Sequence, residues 1–296
     1  MEQKRPVLSS CLIVALALVF FVGLILITIT WWKKDSLFYT KDKVGVIEVN
    51  GLITKSLPTL KDLRKFQEED HIKAVVVRID SPGGAVGPSQ EIMREIEKLR
   101  KTKKVVASCG TVAASGGYYV ACAADLIMAN PGTATGSIGV IMKLVNVEEL
   151  VKKLGVDFYS LQAGNLKDLG SPFRPMNPEE RAVLQTLLDD IHQQFIADIA
   201  RNRKLPVEKV KQLADGSVYT GQKAKELGLV DEMGNFEDAV EKAGRLGGIK
   251  GKVETEFPKK PRLSFLNFLL GQDIQDSLNN LAFLYPVPAF LPSWFR

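Results

Sequence analysis

The chain has 296 residues, 46% of them hydrophobic, and a net charge of +5, enough for one large domain or two small ones with an ample core. Its cations are scattered or paired with acids, as in REIEKLRKTKK (Arg94–Lys104). No basic stripe interleaved with aromatics appears, which speaks against nucleic acid as a partner. The cysteines, Cys11, Cys109 and Cys122, lack CxxC or metal spacing; the latter two read as small core residues, with a bridge between them left open.

The first element is CLIVALALVFFVGLILITITWW (Cys11–Trp32), uncharged and apolar. Its length suits the roughly 20 residues that cross a hydrocarbon core. It ends in Trp31, Trp32, Lys33 and Lys34, an aromatic and cationic border that favours a retained anchor over a cleaved secretory signal. The expected organisation is a short tail (1–10), a transmembrane anchor (11–32), a linker (33–43), a folded domain (44–257) and an apolar C-terminal tail (258–296). Lys4 and Arg5 precede the span, while Lys33, Lys34, Lys41 and Lys43 follow it. Charge alone therefore weakly favours a cytosolic domain.

From Lys43 onward apolar strands alternate with amphipathic helices. VGVIEVNGLI (44–53) predicts a strand, PTLKDLRKFQEED (58–70) a helix, and KAVVVRID (73–80) a strand that opens into SPGGAVG. A helix from about Pro88 to Arg100 leads to the strand KKVVASCG (103–110), and Ser115 then heads a small-residue helix. LIMAN (126–130) and SIGVIM (137–142) predict short strands, VEELVKKLG (147–155) a helix, and VDFYSLQAG (156–164) a strand before the loop NLKDLGSPFRPMN. The remainder to about residue 257 is mostly helical, beginning with a long amphipathic stretch from about Pro178 to Arg203. Near-continuous β-branched strands separated by helices predict a largely parallel, doubly covered α/β sheet. In such sheets chemistry gathers in loops at the carboxyl ends of strands. The tail from Pro258 is apolar and ends in proline and aromatics, which suits docking on a neighbour or a membrane surface.

The stretch GTVAASGGYYVACAAD (Gly110–Asp125) surrounds one hydroxyl, Ser115, with residues that supply almost no side chain. Such emptiness suits close approach of backbone and ligand. A serine hydroxyl needs a base, and the two histidines, His71 and His192, both fall outside the carboxyl-end loops. The GxSxG elbow is also absent. Lysine is the remaining base of suitable kind, provided that burial lowers its pKa from about 10.4. Lys167 lies in one of these loops, between Leu166 and Leu169. An oxyanion hole needs two backbone N–H groups aimed at one point. Gly116 follows the serine at a helix start, and the second donor falls to Gly83 or Gly84.

Four motifs in this order, GTVAASGGYYVACAAD, TGSIGVI, KDLGSPFRPM and DGSVYTGQKAKELGLVDEMG, resemble the signal peptide peptidase A family. The similarity covers roughly residues 44–253 and the short, single-unit form. The resemblance implies a ClpP/crotonase-like fold with repeated strand–helix units behind one transmembrane helix. By position it makes Ser115 the nucleophile and Lys167 the general base, with Gly84 and Gly116 forming the oxyanion hole. Ser137 and Gly83 take supporting places. It implies no metal or cofactor, hydrophobic signal peptides as substrates, and a ring of copies, and leaves open whether Lys167 serves Ser115 of its own copy or of a neighbour. It also implies a single-pass cell-membrane protein with an extracytoplasmic catalytic domain, against the weak charge count. Two rival readings are a crotonase-like acyl-CoA enzyme and a non-catalytic membrane scaffold; neither accounts for Ser115 and Lys167 together.

Overall fold

Strands whose odd and even residues are both apolar must be covered on both faces, and three strands of this chain have that character. The computed structural model describes residues 16–25, 27–28, 41–258 and 289–290. The chain divides into two units, Met1–Lys41 and Asp42–Arg296.

In the first unit the described part of the apolar run, residues 16–25, 27 and 28, is helical. The rest of the expected anchor lies outside the described residues. Among the described residues no helix is long and apolar enough to cross a membrane.

The second unit begins with β1 (Lys43–Ile53), α1 (Leu57–Glu68), β2 (Ile72–Ala85), α2 (Val86–Leu99) and β3 (Lys104–Ala114). The three strands pair in parallel as β3-β2-β1, in the register Val75 to Val105 and Val46 to Val76. One face presents Val44, Val46, Ala74, Val76 and Val106, which α8 (Phe236–Leu246) covers through Ala239, Val240 and Ala243. The other face presents Ile47, Val49, Val75, Val77, Ile79, Val105 and Ala107, packed against α1 and α2 through Leu63, Phe66, Ile92 and Ile96. Period-two alternation thus feeds two separate cores, and the sheet is buried on both sides.

α3 (Gly116–Ala121), β4 (Leu126–Ala129), β5 (Ala134–Gly136) and α4 (Glu148–Lys153) follow. β3 is shared: Val106–Cys109 pair with β4, and Val112–Ala114 pair with β5, both in parallel. The remaining elements are α5 (Pro178–Arg203), α6 (Val207–Leu213), β6 (Val218–Thr220), α7 (Gly221–Leu227), β7 (Glu232–Met233), α8, β8 (Glu254–Glu256) and β9 (Ala289–Phe290). α5 starts with a capping box of Asn177 and Glu180 and ends at Lys204 in a left-handed conformation. This mixed architecture around a central, largely parallel sheet is the α/β class that the sequence predicts. Cys109 and Cys122 are buried free thiols, so the bridge left open by the sequence is not formed.

Two predicted strands differ. In place of SIGVIM the strand is β5, one step earlier, because Gly136 and Ser137 both take positive φ (79° and 51°) and so end the extended run. VDFYSLQAG forms no strand. Its apolar residues are exposed, and Phe158 stacks on Phe173 with centroids 3.8 Å apart. An extended segment without a ladder partner has no backbone bonds to hold it as a strand.

Candidate active site

Ser115 stands between β3 and α3, at φ 53° and ψ −117°. A non-glycine residue there is strained, and surrounding bonds must hold it. Its N–H donates to the Gly136 carbonyl (2.8 Å), and its own carbonyl accepts from Tyr119 N–H (2.8 Å). The Ser115 hydroxyl is fully buried and without a hydrogen-bond partner among the described residues. An unpartnered buried hydroxyl normally costs about 1–3 kcal/mol, so this site favours a polar group that arrives from outside.

The glycine loop at the carboxyl end of β2 meets Ser115 directly. A Cβ on Gly116 would lie 2.7 Å from Ser89 Oγ and 3.2 Å from both Gly83 Cα and Gly84 N, while one on Gly84 would lie 2.3 Å from the Ile53 carbonyl oxygen. Only glycine lets these three backbone segments approach so closely. Ser81 Oγ donates to Gly51 O (2.6 Å) and accepts from Gly83 N–H (3.1 Å). Of the two candidate glycines, Gly83 therefore has its N–H engaged in holding the loop. Val112 N–H donates to Asp80 Oδ1 (3.1 Å), tying β2 to β3 just below the site. α3 has only six residues, so what it offers an oxyanion is its free amides more than a macrodipole.

Ser137 is buried and lies next to Gly136, the residue that anchors Ser115; its N–H donates to Ser217 O (2.7 Å). The structure thus gathers Ser115, Gly116, Gly83, Gly84 and Ser137 within one set of contacts. It does not bring in Lys167. That residue is exposed on the irregular segment between α4 and α5, and the Ser115 hydroxyl has no bond to it. The segment is fastened through Arg174, which donates to Asp168 (2.9 Å) and to both Glu180 oxygens. Arg174, followed by the Asn177 backbone, holds the Glu180 carboxyl down at about 2.

The edge of β2 beyond β3 carries a second strand. β9 pairs antiparallel with it, Phe290 opposite Gly84 and Ala289 opposite Ala85, while Ile53 of β1 flanks Gly84 from the other side. An extended segment of the chain itself thus lies along the glycine loop.

His71 is at the far end of the sheet, where its carbonyl accepts from Lys43 N–H at the start of β1, and its Nε2 meets Glu256 (3.1 Å). Among the described residues Glu69, His71 and Glu256 bring ligand atoms within 4.8 Å of one another. Lys43 Nζ, 3.0 Å from Glu256, supplies the positive charge there. His192 sits on α5 with Nε2 buried and without a hydrogen-bond partner among the described residues. Burial pushes both Cys109 and Cys122 up to about 12, which leaves them as inert thiols.

Sequence reasoning missed Ser81 and Ser89 as the residues that shape the loop. The Ser-Pro-Gly-Gly spacing was the available signal, since a serine two residues before a glycine can bond its N–H.

The model of Peptidase family S49 matches residues 97–250. A Synechocystis protein named "Putative protease slr0021" is 46% identical over 83% of this chain and 88% of its own length. The chloroplastic serine protease SPPA of Arabidopsis thaliana is 34% identical over 81% of this chain and 38% of its own length. Protease 4 of Salmonella typhi is 37% identical over 71% of this chain and 36% of its own length. This chain belongs to Peptidase family S49, the signal peptide peptidase A family.

Proposed function

We propose that this peptidase is a membrane-tethered serine endopeptidase with a Ser115–Lys167 dyad, acting on hydrophobic peptides such as released signal peptides. The observation that carries the reading is the buried, unpartnered Ser115 hydroxyl at a strained backbone position, with the Gly116 and Gly84 backbones against each other beside it. Ser115 Oγ attacks the peptide carbonyl while Lys167 takes its proton. The amides of Gly116 and Gly84 stabilise the oxyanion, and Lys167 returns the proton to the departing amine. Water then repeats the cycle and frees the acyl group.

The substrate lies extended along β2 in the position of β9, as a strand added to a sheet edge. The exposure of Lys167 supports a site completed between copies. Leu150, Leu154, Phe158, Tyr159 and Leu161 are exposed on the same stretch, an apolar surface suited to a second copy in a ring. Ser137 holds the incoming lysine. Residues 11–32 anchor the chain in the cell membrane with the catalytic domain on the extracytoplasmic side.

The test uses the full chain in detergent with a quenched apolar peptide. Wild type is expected to cleave. Ser115→Ala loses on the order of 10⁶-fold in kcat, and Lys167→Ala is likewise inactive. Mixing the two inactive proteins restores part of the activity if the lysine crosses between copies, and none if it acts within its own chain. Cleavage that survives in Ser115→Ala would overturn the dyad.

A further inference from the structure

Resting on the Ser115 reading, we propose that Asp198 is a positioning residue that sets the spacing between the two oxyanion donors from behind the site. α2 begins directly after Gly84 and Ala85, and α3 begins with Gly116. α3 therefore carries one donor at its first residue, and the other lies two residues before α2, so whatever fixes one helix against the other fixes the hole. Asp198, on α5, is 4% exposed. Tyr119 of α3 donates its hydroxyl to Asp198 Oδ2. Arg94 of α2 reaches Asp198 Oδ1 at 3.3 Å, and Arg201 of α5 reaches the same oxygen at 2.6 Å. One carboxylate thus holds both helices to the long helix behind them.

Neighbouring bonds keep the carboxylate in place. Arg94 and Arg201 also share Glu97, at 3.1 and 2.7 Å, and Asn202 adds a third bond to it at 2.8 Å. The Tyr119 ring meets Phe195 of α5 edge-on, with centroids 4.7 Å apart. Tyr119 has a second link to the site: its N–H donates to the Ser115 carbonyl (2.8 Å). A shift of the Tyr119 side chain therefore moves the peptide that holds the nucleophile at positive φ. On the other side Ser89, in the first turn of α2, donates to Ala85 O (2.9 Å) and borders Gly116. Charge-assisted bonds to a buried carboxylate are strong and directional, and oxyanion donors act only when held close to their working geometry.

The experiment compares Tyr119→Phe, Asp198→Asn and the double variant in the full chain. Tyr119→Phe keeps the ring and its packing, and Asp198→Asn keeps the size and one acceptor. Activity is expressed per active site titrated with a fluorophosphonate. Each single variant is expected to lower kcat about tenfold or more, within the range that one oxyanion donor supplies. KM should stay within about twofold, and the double variant should be no worse than the weaker single, as for residues acting as a unit. Amide hydrogen exchange, which needs no catalysis, should rise together in peptides covering 83–92 and 115–124. Unchanged kcat per site, or exchange that rises in one segment alone, would overturn the proposal. If wild type itself does not cleave while exchange still rises in both segments, the coupling stands and the peptidase reading of Ser115 fails.

Discussion

The two halves of the proposed dyad sit in unlike surroundings. Ser115 lies where β3, α3 and the β2 glycine loop converge, in residues buried on every side. Lys167 lies on an exposed segment with little regular structure between Lys153 and Pro178, closed on itself by Arg174 and by the stacking of Phe158 on Phe173. The first half is complete within one chain, since backbone bonds, glycine contacts and the Asp198 network all come from elements close to it. The second half has its own fastening but no contact with the nucleophile. The difference teaches that the folding of one chain holds Ser115, Gly84 and Gly116 together and leaves Lys167 apart. In the proposed reading, delivery of the base therefore falls to the assembly of copies.

The comparison can be broken most severely at Gly116. A side chain there meets Ser89 Oγ and the Gly83 and Gly84 backbones, and none of these can retreat without opening the loop. Gly116→Val is expected to cost about 1–3 kcal/mol through overpacking. It should also lower kcat by about 10²–10³-fold through the displaced donor. The contrasting position is Gly155, in the lysine-bearing half, which has φ +70° and open space around it. Gly155→Ala should cost only the left-handed backbone term of about 1 kcal/mol, with turnover close to wild type. Urea melts and titrated turnover numbers measure both. Equal losses of activity at the two positions would remove the asymmetry between the halves.

How much of this was legible in the sequence follows the same division. The β-branched runs at 44–53, 73–80 and 103–110 imposed their strands, because a run apolar on both faces has few alternatives to a covered sheet. The emptiness around Ser115 announced a close backbone approach, and Gly84 and Gly116 do touch the same space. The misread segments, 137–142 and 156–164, are those whose fate rests on partners far away or absent from the chain. SIGVIM carries strand-forming residues, yet Ser137 at positive φ ends the run. VDFYSLQAG has the composition of a strand and finds no ladder partner among the described residues. Nor could spacing reveal Asp198, because a long amphipathic helix offers many acids, and only packing shows which one is buried beneath Tyr119.

A smaller effect is expected at the edge of β2, where β9 lies over the glycine loop. A segment that pairs with Gly84 and Ala85 competes with any peptide that would use the same backbone groups. Ala289→Pro removes a backbone N–H from β9 and disfavours its pairing. KM for an extended peptide should then fall by up to about tenfold, equivalent to about 1.4 kcal/mol, with kcat little changed. Steady-state kinetics on the full chain decides this, and an unchanged KM would mean that β9 does not occupy the substrate's path.

The smallest expected effect concerns the fastening of the lysine-bearing segment and its response to acid. Glu180 caps α5 and receives Arg174 through both oxygens, and these bonds, with the Asn177 backbone, bring its pKa down to about 2. A carboxyl depressed in the folded state stabilises that state above its ordinary value of 4.5, and loses the contribution as pH falls through the folded value. The support is therefore whole at neutral pH and fades between about 4.5 and about 2. Glu180→Gln lacks the charge and should show no such limb. The difference in stability between wild type and variant should be constant from pH 7 to 5 and shrink below that. Limited proteolysis within 156–177 reads the segment directly. Faster cutting of the variant at neutral pH, converging with wild type in acid, would show that the clamp orders the base-bearing half independently of the sheet. A gap that stays constant down to pH 2 would mean that Arg174 draws its hold from elsewhere, with Asp168 the remaining carboxylate in its reach.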